Sequence, residues 1–130
     1  MHNVYAYLVS LIAFVGIDLL WLGGIAKRTY ESQLKALMKA KPNLPAALVF
    51  YALFALGLMV FVIHPAMVAR SGINDWWKGA LFGLFTYGTY DLTNLATLKD
   101  WPLKITIIDL AWGTFLTAMT TLITLAIFAH

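Results

Sequence analysis

Four stretches of this chain run for about twenty residues or more with scarcely a charge, and a helix needs roughly 20 apolar residues to cross about 30 Å of hydrocarbon. They cover residues 4–26, 44–63, 77–98 and 102–129 of a 130-residue sequence. The whole chain is 62% hydrophobic and 12% charged, with a mean hydropathy of +0.80. Soluble domains run near 45–50% apolar and about 25% charged, so a soluble fold of this length has too little interior for so much apolar surface. The expectation is an all-α membrane protein, a single four-transmembrane-helix bundle over residues 1–130. The first run reads as a span and not as a cleaved leader, because "MHN" carries no positive charge and Gly23-Gly24 is followed at once by Lys27-Arg28.

The breaks between the runs carry the charge. "KRTYESQLKALMKAKPNLP" holds Lys27, Arg28, Lys35, Lys39 and Lys41, and its periodic Leu34, Leu37 and Met38 predict a short amphipathic helix at the interface. Pro42 and Pro45 then open the second run. "HPAMVARSGINDWW" closes the second run at Pro65 and opens the third with Trp76-Trp77, an interfacial pair. "KDWP" is a tight turn at 99–102, so the third and fourth helices form an antiparallel hairpin. Lys and Arg concentrate in the first and third loops, leaving only Arg70 and Lys78 on the other side. By the positive-inside rule both termini lie outside and those loops in the cytoplasm. The pI of 9.3 is thus a topology signal, and nucleic acid is not an expected partner.

Against this background three acids stand out. Asp18 in "FVGIDLLWLG", Asp91 and Asp109 in "TIIDLAWGTF" all fall roughly 10–13 Å inside the cytoplasmic boundary at 1.5 Å per residue. No Lys or Arg shares that level. An Asp at the centre of a spanning helix costs about 2.5–3.5 kcal/mol on insertion scales, so such acids face the bundle interior or a watered cavity. Three clustered carboxylates cannot all stay ionised in low dielectric: either some hold protons or a cation sits among them. Tyr87, Asp91 and Asn94 follow i, i+4, i+7 and share a face, with Tyr90 beside them. Trp21 and Trp112 each follow their acid by three residues. Because the two helices run oppositely, Trp21 is expected toward the cytoplasm and Trp112 toward the membrane middle, where it could line a cavity. The repeated Ile-Asp-Leu-x-Trp is read as similar local chemistry and not as an inverted repeat. The threonine stripes, and Gly79-x-x-x-Gly83, read as close helix packing.

Other chemistries find no footing. The chain has no cysteine, hence no thiolate nucleophile or cysteine-based metal site. His2, His64 and His130 all map to the outer face, two of them at chain ends, and no metal site or cofactor is expected from them. Nucleotide-binding, zinc-hydrolase and serine-hydrolase signatures are absent from the sequence. Any catalysis would be acid–base work by Asp with Tyr87 or Tyr90.

The segment "YDLTNLATLKDWPLKITIIDLAWGTFLTAMTT", preceded by "IDLLWLG", resembles the family known as domain of unknown function 2177. The matching positions are Asp18, Trp21, Tyr90, Asp91, Asn94, Asp100, Trp101, Pro102, Asp109 and Trp112. The resemblance implies four-helix inner-membrane architecture and carries no activity, substrate or cofactor. Three classes of function stay open at this point. One is proton- or cation-linked binding or transport of a small molecule, which favours a homodimer because four helices barely enclose a pathway. Another is an enzyme or accessory subunit acting on a lipid or apolar substrate near Trp112, and the last is a structural subunit whose acids lock helix packing.

Overall fold

A computed structural model describes residues 2–38 and 41–128. Lys39, the last residue of the expected fourth run and His130 lie outside the described residues. Among the described residues the architecture is all-helical, with five helices: α1 His2–Ile25, α2 Lys27–Leu34, α3 Leu44–Ala69, α4 Trp76–Thr97 and α5 Leu103–Phe128. Three of them, α1, α3 and α5, are long and apolar enough to cross a membrane. At 22 residues α4 has the length, but its Gly, Thr, Tyr and Trp content dilutes the hydropathy that the other three possess.

Two of the long helices contain a π-helical turn, where one extra residue is wound into the spiral. The last turn of α1, Trp21–Ile25, is one, closed by the Ala26 N–H donating to the Trp21 carbonyl at 2.8 Å. The other, Met59–Ile63, lies inside α3. It corrects the expected end of the second run. The helix does not stop at Pro65 but continues to Ala69, because Pro65 falls in the first turn after the π segment, where its missing N–H leaves no bond broken. α3 starts on Asn43, whose side chain accepts from the Ala46 N–H at 3.1 Å. It ends on Arg70 in the left-handed region (φ 53°).

The helix predicted in the first loop forms, but it is shorter than its periodic Leu34, Leu37 and Met38 suggest. α2 ends at Leu34, and Leu37 and Met38 lie beyond it, about half exposed. Its inward stripe is Tyr30 and Leu34, which with Ala26 pack on Trp101 in the α4–α5 turn and on Ile105 and Ile108 at the start of α5. The turn between α4 and α5 is as tight as expected, with Asp100 at φ 61°, a conformation that a short polar side chain tolerates.

Packing follows the rules of a hydrocarbon solvent. Large apolar side chains such as Ile12, Phe61 and Ile107 point outward, while Ser10, Thr117, Thr120, Thr121 and Thr124 are fully buried. Each of those four threonines donates its hydroxyl to the carbonyl four residues earlier in α5, so none needs an external partner. The closest helix pair is α4 with α5. A Cβ at Gly79 would strike the Thr121 side chain, and one at Gly83 would strike the Gly113 carbonyl oxygen. The Gly-x-x-x-Gly spacing therefore sets how near the two backbones come. Leu58, Ile63 and Leu125 fill the core toward the end that carries both termini, and Phe14, Phe54, Trp112 and Leu116 fill its middle.

Candidate functional site

Between the middle of the core and the α2 end the helices enclose a cavity of about 420 Å³. All five helices and the α4–α5 turn contribute to its wall. Asp18 from α1, Asp91 from α4 and Asp109 from α5 all line it, as do Tyr87 and Tyr90. Asn94, Trp21 and Trp112 do not.

The two tryptophans instead lie behind the acids and hold them. Their indoles stack nearly parallel, 8° between planes with centroids 4.3 Å apart. That corrects the expectation that they part to different depths; the π turn beginning at Trp21 lies where its ring meets the one from α5. Each indole serves the acid of the opposite helix. Trp112 Nε1 donates to Asp18 Oδ1 at 2.9 Å. Trp21 Nε1 donates, at a longer 3.3 Å, to the Tyr30 hydroxyl, which in turn donates to Asp109 Oδ1 at 2.8 Å. The repeated Ile-Asp-Leu-x-Trp thus builds a reciprocal arrangement, direct in one direction and relayed through a phenol in the other.

Asp18 is fully provided for. Its second oxygen accepts from the Tyr51 hydroxyl at 2.7 Å, so an ionised carboxylate there has a donor on each oxygen. Asp91 is the reverse case. It is 0% exposed, and neither carboxyl oxygen has a hydrogen-bond donor among the described residues. The group within reach of it is the carboxyl of Asp109. Two ionised carboxylates have no donor to offer each other, so a bond between them requires a proton in the gap.

Tyr30 and Tyr51 complete the network, and neither was singled out from the sequence. Tyr51 sits mid-span, where a phenol needs a hydrogen-bond partner, and that need is the signal available in the sequence. Tyr30 lies one turn before Leu34 on the inward stripe of α2. Burial pushes the Tyr30 phenol above its usual range, and the neighbouring Asp109 carboxyl adds to the rise, against the Trp21 N–H that lowers it.

No three His, Cys, Asp or Glu side chains among the described residues converge closely enough to hold a metal ion. His64 is bound instead to Asn3, its Nδ1 lying 3.1 Å from the amide oxygen. The chemistry available is hydrogen bonding, charge and proton exchange at one carboxyl pair, inside walls made mostly of aromatic and aliphatic side chains.

A family model described as predicted membrane protein (DUF2177) matches residues 3–126. No curated protein and no solved structure matches the chain.

Proposed function

The chain belongs to the DUF2177 family of predicted membrane proteins, and from that premise we propose that it is a four-span binding protein whose cavity takes up a cation at Asp91 and Asp109. In this reading α4 is the fourth span. Its weak hydropathy is offset by α5, which covers the Gly79–Gly83 face so that lipid does not meet it. The Lys and Arg distribution sets both termini outside and α2 on the cytoplasmic side of a bacterial inner membrane.

The observation that carries the proposal is Asp91, fully buried, with no donor to either oxygen and no Lys or Arg on its cavity among the described residues. With one proton shared between Asp91 and Asp109, the pair keeps a single negative charge. A negative charge at membrane depth requires a counter-charge, and Asp91 requires donors. A cation bearing N–H groups supplies both. Asp18, with two donors already in place, has the lesser part of locking α1 to α3 and α5.

The test is a titration of the full chain in phosphatidylcholine nanodiscs with methylammonium chloride at neutral pH. Trp101 on the cavity wall serves as a fluorescence reporter. Saturable change is expected in the wild type, weakened about ten-fold or more in Asp91→Asn as a charged hydrogen bond is lost. Asp91→Asn binding as the wild type does, or a wild type that shows no saturation, would sink the reading.

A further inference from the structure

We infer that the cation is the head of an amphiphile, a protonated primary amine on an alkyl tail, and that it enters sideways from the lipid between α3 and α4. This rests on the reading of the cavity as a cation site and narrows the class of ligand it holds.

Size comes first. A cavity of about 420 Å³ lies within the range of about 300–1,000 Å³ that encloses organic ligands, far above the room one inorganic ion needs. The wall chemistry agrees. Asp91 and Asp109 supply the charge, while Phe50, Phe54, Tyr87 and Leu34 give most of the remaining surface to carbon. A hard metal cation takes about six to eight oxygen ligands, and no three His, Cys, Asp or Glu side chains among the described residues converge to begin such a set. An ammonium group has three N–H donors, enough for the carboxyl oxygens that the shared proton leaves without one, and its charge is attracted to aromatic faces. The tail then lies along the apolar wall.

The route follows from how α3 leans. It packs on α4 around its π turn, and Phe54 reaches Phe82 and Tyr87 at centroid distances of 5.4 and 5.9 Å. Nearer Leu44 that packing is lost. Phe50 on α3 and Tyr90 on α4 both line the cavity, yet stay 45% and 58% exposed. The cavity therefore reaches the lateral surface between these two helices. The end facing α2 is closed by contrast, where Ala26 and Tyr30 are buried against Ile105 with Leu34 and Trp101 around them. A ligand dissolved in the bilayer has an open way in; a ligand in the cytoplasm meets a covered end.

The proposal is tested with octylamine, methylammonium and octanol on the full chain in nanodiscs, comparing wild type with Ala47→Phe. Ala47 lines the cavity on α3 and is half-buried, so a larger side chain narrows the room for a tail without touching the carboxyls. Partition into lipid raises octylamine binding equally in both proteins, which leaves the difference between them to the cavity. Octylamine is expected to bind Ala47→Phe about ten-fold more weakly, the scale on which apolar pockets discriminate shape, with methylammonium unchanged. Ala47→Leu should show the same trend at smaller size if the phenylalanine variant folds poorly. Equal octylamine binding by all three proteins, with methylammonium still saturating and still lost in Asp91→Asn, overturns the amphiphile while leaving the cation site. Octanol binding the wild type as tightly as octylamine overturns recognition of the head. Failure of both amines on the wild type removes the cation site itself.

Discussion

Replacing Asp91 by Asn should stabilise this protein, whereas the same replacement at Asp18 should destabilise it. Both acids are buried and both face one cavity, so burial alone predicts the same sign. Their partners differ. At Asp91 neither oxygen has a donor, and a buried polar group left unpaired costs about 1–3 kcal/mol. An Asn there leaves the pair's single negative charge on Asp109 and points an amide N–H₂ at it, so a gain of roughly 1–2 kcal/mol is expected. At Asp18 the carboxyl accepts at 2.7 and 2.9 Å from two side chains. Asn keeps the indole bond through its carbonyl and forces the Tyr51 hydroxyl to turn from donor to acceptor. Replacing two charged hydrogen bonds by neutral ones loses about 1 kcal/mol each at most, and membrane hydrogen bonds average nearer 0.6, so the expected loss is about 1–2 kcal/mol. The two variants should then melt apart by on the order of 10 °C, taking about 4 °C per kcal/mol for a chain of this size. The assay is thermal unfolding of the detergent-solubilised full chain, dialysed against amine-free buffer and followed by tryptophan fluorescence. If Asp91→Asn melts below wild type by as much as Asp18→Asn does, Asp91 has partners within the fold and the vacancy argument collapses.

Gly83→Ala should cost roughly 1–3 kcal/mol of stability, the range for overpacking, because its methyl meets backbone at Gly113 that cannot swing aside; thermal unfolding in detergent measures it, and a neutral result would mean that α4 and α5 sit farther apart. Tyr30 gives a pH prediction. Its phenol is raised in the folded state, so the stability it contributes is present below the ordinary tyrosine range near pH 10 and declines as pH rises above it. Tyr30→Phe should flatten that alkaline decline in a series of melts, and an unchanged slope would dissociate Tyr30 from it.

Periodicity told a good deal about which face each acid occupies and little about what it touches. Asp91 could be set beside Tyr87 from spacing alone, since both positions belong to one helix. That Trp112 would bond Asp18, and not the Asp109 three residues before it, depends on how α1 and α5 pack across a gap that no one helix encodes. The partner of Tyr51 was hidden for the same reason: its need for one is legible in an apolar run, but that the partner is Asp18 follows only once α3 lies against α1. The length of α3 was hidden by Pro65, which reads as a terminator until the π turn before it is known. The "KDWP" turn and the Gly79–Gly83 face were legible because their constraints are local, one of chain direction and the other of backbone proximity.

The hydrogen bond from Trp112 to Asp18 joins residues 94 apart in sequence, and Tyr51 to Asp18 joins residues 33 apart. A ribosome adds about 5–20 residues per second, so the acid in α1 waits several seconds for its first donor and on the order of 5–20 s for its second. Until that first donor arrives α1 carries an unmatched carboxyl within an apolar helix, worth about 2.5–3.5 kcal/mol against insertion. The first helix is therefore a provisional tenant of the bilayer until the last one arrives. A chain cut short before α5 leaves Asp18 without its indole and Tyr30 without its carboxylate.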